Sequence, residues 1–244
     1  MHTAPDLSII IPASGAATAL RQAIDSIGDF ARCEILVVTE RHAPSVPSDP
    51  RIVILRAQGH GANAARNLGL AVARAPLVAF LNPQDRWCVG KLETQMLLHG
   101  ARSHLGLSFT DHVLIGEAGF DHGSALELAG DFAMRHAGRS LPFALGEEAL
   151  AQLFAEDVVG TSTVMAQTEL LRDSGGFDPG LAAAAPWDAW LRLSTMAPMA
   201  CIPWVLTEQQ LPPQARLRQE APARLAMMRL VARRHRNAVL CQDA

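Results

Sequence analysis

Asn82-Pro83-Gln84-Asp85-Arg86 follows directly on the apolar run Leu77-Val-Ala-Phe-Leu81. A buried strand therefore delivers a turn rich in oxygen. Hard cations such as Mg²⁺ or Mn²⁺ take oxygen ligands and favour anionic ones. Here the amides of Asn82 and Gln84 bring carbonyls without charge, and Asp85 alone is a carboxylate. Either Asp85 holds Mg²⁺ or Mn²⁺ weakly, since Mg²⁺ often takes only one or two protein ligands, or Asp85 and Arg86 form a solvated turn. A second group is Gly59-His-Gly61-Ala-Asn-Ala-Ala-Arg66-Asn67. Glycines allow close backbone approach, a helix N-terminus favours anions, and Arg66 has the fork that grips phosphate. Ordinary packing of a helix on a sheet accounts for the same residues. For proton transfer the candidates are Asp111, His112 and Asp188. A lone strand histidine is more often structural, and Asp188 also suits packing at the start of a helix.

Short alternating elements must hold these groups. Leu7 to Ile11, closed by Pro12, reads as a strand buried on both faces. Ala19, Leu20, Ala23, Ile24 and Ile27 then lie on one helical face. Cys33 to Val38 and Arg51 to Leu55 repeat the strand signal, and the glycine-rich segment opens a helix lasting to about Arg74. After Leu77 to Leu81 the pattern loosens over Ile115 to Phe143, a length at which loops are often lids or binding segments. Arg41 to Pro50 is loose as well. Gly146 to Phe154 reads as helix, Thr161 to Ala166 as extended chain, Thr168 to Ser174 as a short helix closed by Gly175-Gly176, and Cys201 to Leu206 as a last strand. Pro186 opens the helix that carries Trp187 to Met196. Alternating strands and helices with short connections predict an α/β fold with a mostly parallel sheet flanked by helices.

The 244 residues, 49% of them hydrophobic, suffice for one α/β domain with an appendage. The expected division is a domain over 1–210 and a C-terminal basic amphipathic helix and tail over 211–244. No apolar run approaches the roughly 20 residues that span a bilayer, and the first residues lack the pattern of a signal peptide. A cytoplasmic protein is expected. Cys33, Cys88, Cys201 and Cys241 are scattered, which speaks against zinc and disulfides and for reduced thiols. The formal net charge of -3 gives no reason to expect nucleic acid. Lys91 is the sole lysine. There is no Gly-x-Ser-x-Gly elbow and no Gly-x-Gly-x-x-Gly after the first strand, as a hydrolase or dehydrogenase would have.

Ser8-Ile-Ile-Ile-Pro12, Glu34-Ile-Leu-Val-Val38, Gly59 to Gly69, Ala79 to Trp87, Gly175-Gly-Phe-Asp178 and Trp187-Asp-Ala-Trp190-Leu-Arg192-Leu, in this order, resemble family 2 glycosyltransferases of the GT-A fold. The resemblance covers about residues 7 to 206. It implies a Rossmann-like sheet binding a nucleotide-sugar at the carboxyl ends of its strands, and inverting chemistry. In the family, a carboxylate deprotonates the acceptor while a divalent cation neutralises the departing diphosphate.

Residue by residue, the resemblance places the family's Asp-x-Asp on Asn82 and Gln84, and its catalytic base on Pro186, the second residue of Ala185-Pro186. Asp188, two positions on, points elsewhere around a helix. Pro12-Ala13-Ser14-Gly15 stands where the family lines the base, and Thr39-Glu40 where paired acids meet uracil and ribose. The implied nucleotide contacts are Pro12, Ala13, Glu40, Gly61, Arg66 and Asn67.

Pro222 to Leu240 gathers Leu225, Met228, Val231 and Ala232 on one face, with Arg224, Arg229, Arg233, Arg234 and Arg236 elsewhere. Such a helix either lies on the inner face of an anionic membrane or packs on the domain with a solvated arginine face. Two functions follow. One is a non-catalytic relative that binds a nucleotide, a glycan or a partner transferase. The other is an inverting transferase, acting on a glycan or lipid-linked acceptor, that has rebuilt its site from Asp85, Glu40, Asp111 or an acid in Glu117 to Asp131. A general base is typically worth about 10² to 10⁴ in rate, and a metal adds several kcal/mol. The loss of both favours the first.

Overall fold

The computed structural model describes residues 4–13, 16–40 and 45–241. Ser14, Gly15 and the 41–44 part of the loose segment lie outside them. In chain order the elements are β1 (Leu7–Pro12), α1 (Ala17–Asp25), β2 (Cys33–Thr39), β3 (Ile52–Arg56), α2 (Gly61–Val72), β4 (Leu77–Phe80), β5 (Arg86–Trp87), α3 (Lys91–Ala101) and β6 (Leu107–Ile115). They continue with β7 (Asp121–Ser124), α4 (Ala125–Leu128), α5 (Gly130–Arg135), β8 (Phe143–Ala144), α6 (Ala149–Ala155), β9 (Val164–Gln167), α7 (Thr168–Asp173), α8 (Ala185–Ser194), β10 (Met199–Gln210) and α9 (Gln214–Leu240).

The sheet runs β3-β2-β1-β4-β9-β6-β10-β5, with β7 paired to β6 and β8 to β10. Every residue of β1 is buried. Ile9 and Ile11 enter one core layer and Ile10 the other, as the period of two in a strand requires. The first layer is closed by Leu20, Ala23 and Ile24 of α1, spaced for one helical face. The second is closed by α2, α7 and α8. Helix α2 crosses β1 so closely that a Cβ on Gly69 would lie 2.6 Å from Ile10 Cγ2. A glycine is needed there for approach, not for backbone freedom. Behind α2, Phe80, Phe177 and Trp190 pack edge to face or tilted, with ring centres 5.1 to 6.2 Å apart.

The expected, mostly parallel sheet is present, and two other expectations are corrected. The sheet is parallel from β3 to β4, but β9 lies antiparallel between β4 and β6. Thr161–Thr163, expected to be extended, is a 3₁₀ turn feeding β9. The loose 115–143 segment contains β7, α4 and α5; elements of four and six residues are too short to show a hydrophobic period. The last strand extends beyond Cys201 to Leu206 at both ends, its pairing with β6 interrupted by register shifts between Ile202 and Val205 and again before Glu208. Pro203 lies in the first interruption, where a strand tolerates a residue without an amide hydrogen.

Helix α9 seats Val231 and His235 on the domain, with Met227, Met228 and Val239 beside the core. Its first turns are largely exposed. No described helix is long and apolar enough to cross a membrane.

Candidate functional site

A cleft of about 950 Å³ opens at the carboxyl ends of the parallel strands. One side is the start of α2 with Gly61, Asn63 and Arg66; the floor holds Asn82 and His112; the far wall is Asp157 to Thr161, Pro186 and Trp187. This is where open α/β sheets bind ligands, because strand-to-helix loops converge there.

Arg66 is the buried cation of the cleft, and Arg224 a more exposed one. Arg66 lies in the second turn of α2, which packs on β1 and β2, and the residue is 7% exposed. Its Nη1 donates to Asn63 Oδ1 at 2.8 Å and its Nη2 to Asn82 Oδ1 at 2.8 Å. The guanidinium carbon sits 5.7 Å above the Phe177 ring. Burial lowers the Arg66 pKa to about 10, with the charge of Asp85 opposing, so the side chain stays cationic at neutral pH. Asn63 also donates to the carbonyl of Ala182 at 2.6 Å. That holds a non-glycine residue at φ +44, an uncommon conformation kept only where neighbours enforce it.

Asp85 is not in a solvated turn. It is 2% exposed, and both of its oxygens are committed. Oδ2 accepts from Asn82 Nδ2 at 2.9 Å and from Ser162 Oγ at 2.5 Å, and Oδ1 accepts from the Gln210 amide at 3.1 Å. Burial raises its pKa, against the opposing effect of these donors and of Arg66. Asn82 spends its carbonyl on Arg66 and its amide on Asp85, while Gln84 faces solvent. These three residues therefore do not fit a Mg²⁺ or Mn²⁺ ion: the two inward ones have given their oxygens to protein donors, and the third points away. Among the described residues no cluster of three or more His, Cys, Asp or Glu is placed to hold a metal.

The other sequence candidates are also engaged. Asp111 accepts from the His112 amide at 2.7 Å, from the Leu126 amide at 3.1 Å and from Ser124 Oγ, which ties β6 to α4. Asp188 is wholly buried and receives Arg192 Nε at 3.0 Å, Arg234 Nη1 at 2.9 Å and the His235 ring at 2.9 Å. Two of these partners come from α9, so one of the arginines expected to be solvated is an anchor; Arg234 also meets Asp178 at 2.9 Å. Glu40 accepts the Gly61 amide at 2.6 Å, placing the chain's own carboxylate at the start of α2. Asn67 exchanges hydrogen bonds with the Phe177 carbonyl at 2.7 Å and amide at 2.9 Å, away from the cleft lining. Pro12 ends β1 and Ala13 follows it, its amide donating to the Val38 carbonyl. Pro186 lines the cleft and offers no proton acceptor there. Glu117, Asp121, Glu127 and Asp131 are exposed and outside the cleft wall. The four cysteines are free, Cys33 and Cys201 buried.

His112 lines the floor at 5% exposure, its Nδ1 without a partner, and burial lowers its pKa so that it is neutral at pH 7. The sequence reading overlooked Asn63, Ser162 and Asp157. Asp157 follows α6 on the far wall; its nearest cation is Arg224 of α9, 3.9 Å away, and the protein around its carboxylate raises its pKa to about 6 despite that charge. Nothing local marks it apart from the acidic pair Glu156-Asp157 before Val158-Val159.

No family model matches the sequence, and no curated protein is similar to it. Solved structures do resemble it. S. aureus TarS 1-349 superposes with a TM-score of 0.66 at 15% identity, over 93% of this chain and 64% of that one. Its complex with UDP-GlcNAc gives 0.66 at 14%, over 93% and 65%. The mannosyltransferase PcManGT from Pyrobaculum calidifontis, in complex with GDP-Man and Mn²⁺, gives 0.65 at 15%, over 96% and 65%. The chain spans just under two thirds of the length of these glycosyltransferases. At such identities the likeness is one of fold, and the fold of this chain is GT-A.

Proposed function

We propose that the chain binds a sugar nucleotide in the cleft without a divalent cation, on a glycosyltransferase scaffold in which Asn82, at a cation position, serves internal hydrogen bonding and Pro186 stands at the proton-transfer position. The observation that carries this reading is the Arg66–Asn82–Asp85 network. A charged guanidinium occupies the neighbourhood where a metal would need free anionic oxygens, and those oxygens are no longer available. A buried fixed cation favours a diphosphate electrostatically, and it does so without recruiting an ion from solution. The neighbours' complexes with UDP-GlcNAc and GDP-Man support a sugar nucleotide as the ligand class. Turnover by the family's own residues is not expected, since Pro186 has replaced the base. Partner roles, such as binding a glycan, another transferase or a membrane surface through α9, are compatible with the same reading.

Calorimetric titration with UDP, GDP, UDP-GlcNAc and GDP-mannose, with and without Mn²⁺, tests it. Binding of at least one of them with an affinity indifferent to Mn²⁺ is expected. Affinity that rises tenfold or more with Mn²⁺ would refute the cation-free site, and absence of binding to all four would refute nucleotide recognition.

A further inference from the structure

We propose that Asp157 is a proton acceptor for a hydroxyl group bound in the cleft, standing in from the same wall for the carboxylate that Pro186 replaces; this rests on sugar-nucleotide binding as read above. The inference is one of elimination among the carboxylates followed by geometry. Asp85, Asp111 and Asp188 have their oxygens bound by protein donors. Glu156, which also lines the cleft, gives its carboxylate to the amides of Phe132 at 2.8 Å and Asp131 at 3.3 Å. Asp157 accepts no hydrogen bond and keeps 25% of its side-chain surface open, on the wall of the cavity that Pro186 and Trp187 also line.

The electrostatic surroundings suit a base working near neutrality. The other titratable or charged groups lining the cleft are His60, Arg66, His112, Glu156 and Arg224. Asp157 is partly open to solvent, but the protein around its carboxylate raises its pKa to about 6 while Arg224 opposes the rise, so it is mostly ionised at pH 7 yet more basic than a carboxylate in bulk water. A base with a pKa close to the working pH combines the right protonation state with driving force.

In the reaction implied, the acceptor oxygen forms a bond to the anomeric carbon as the carbon–oxygen bond to the diphosphate breaks. The bonding pair leaves on the diphosphate and the acceptor proton passes to Asp157. No oxidant, reductant or further reactant is needed. With water as the acceptor, the products are the free sugar and the nucleoside diphosphate.

The test measures sugar released from UDP-GlcNAc and GDP-mannose by the full chain across pH, beside calorimetric binding of UDP and GDP. Slow release is expected, rising as pH passes about 6 and then levelling. Asp157→Asn should lower release by about 100-fold or more while leaving nucleotide affinity within twofold. Arg224→Gln should move the midpoint of the pH profile upward, because it removes the charge that favours the ionised form; a residue with a purely structural role would not shift that midpoint. Nucleotide binding without sugar release, or release by Asp157→Asn at the unmodified rate, would overturn the assignment. Absence of nucleotide binding would sink the donor-binding reading, and the assignment with it.

Discussion

Arg66 Nη2 donates to Asn82 Oδ1 across 2.8 Å, so the side chain two residues beyond β4 is the acceptor of a buried organic cation. Asn82 can serve both Arg66 and Asp85 because an amide accepts on one side and donates on the other. A carboxylate could serve only the first.

Asn82→Asp tests that division. The variant loses the donor to Asp85 and brings two carboxylates together, an arrangement that shifts one pKa upward or recruits a cation. Thermal melts should show the variant stabilised by Mn²⁺, by about 1.4 kcal/mol once the ion exceeds its Kd tenfold. The unmodified protein's Tm should not move. A Mn²⁺-dependent rise in the unmodified protein would mean that Asp85 still holds metal.

Asp188 joins α8 to α9 through Arg234 and His235. Asp188→Ala removes the acceptor of three hydrogen bonds and is expected to cost about 3 kcal/mol, with α9 cut sooner in limited proteolysis. Burial pushes this carboxyl's pKa up, but the His235 hydrogen bond and the Arg192 and Arg234 contacts outweigh it and leave the pKa below its ordinary value. A depressed carboxyl pKa gives stability that is full above the unfolded value, about 3.9, and is lost as pH falls through the folded one. Acid titration of stability should therefore be flatter in Asp188→Ala; an unchanged acid limb would exclude this linkage.

Lys91 is 1% exposed, donates to Gln95 Oε1 at 2.6 Å and lies 4.4 Å from the Trp87 ring centre. Burial lowers its pKa to about 7. Between that value and the ordinary one near 10.4 the unfolded chain binds the extra proton, so stability should rise with pH across this window and level off below it. Urea unfolding at several pH values should give that slope in the unmodified protein and a weaker one in Lys91→Met. Equal slopes would show that Lys91 is not its source.

Gly69→Ala drives a methyl group into Ile10. Overpacking of this kind costs about 1 to 3 kcal/mol, and denaturant unfolding should show a lower midpoint with little change in slope. Because Ile10→Ala removes the γ and δ carbons that are struck, the double variant should lose less than the sum of the two single losses; additive losses would place the strain elsewhere.

The sequence by itself determined the frame. β1, β2, β4, α7 and α8 were legible because their signals, apolar runs and helical spacing closed by Pro or Gly, come from residues a few positions apart. The absence of acids at Asn82, Gln84 and Pro186 was equally legible. Only the tertiary structure decided what the remaining acids do. Asp85 takes the amide of Gln210, Asp188 takes Arg234 and His235, and Asp157 meets Arg224, all partners remote in the chain. A carboxylate's chemistry depends on its donors and its hydration, and folding sets both by bringing together segments whose local patterns carry no record of one another.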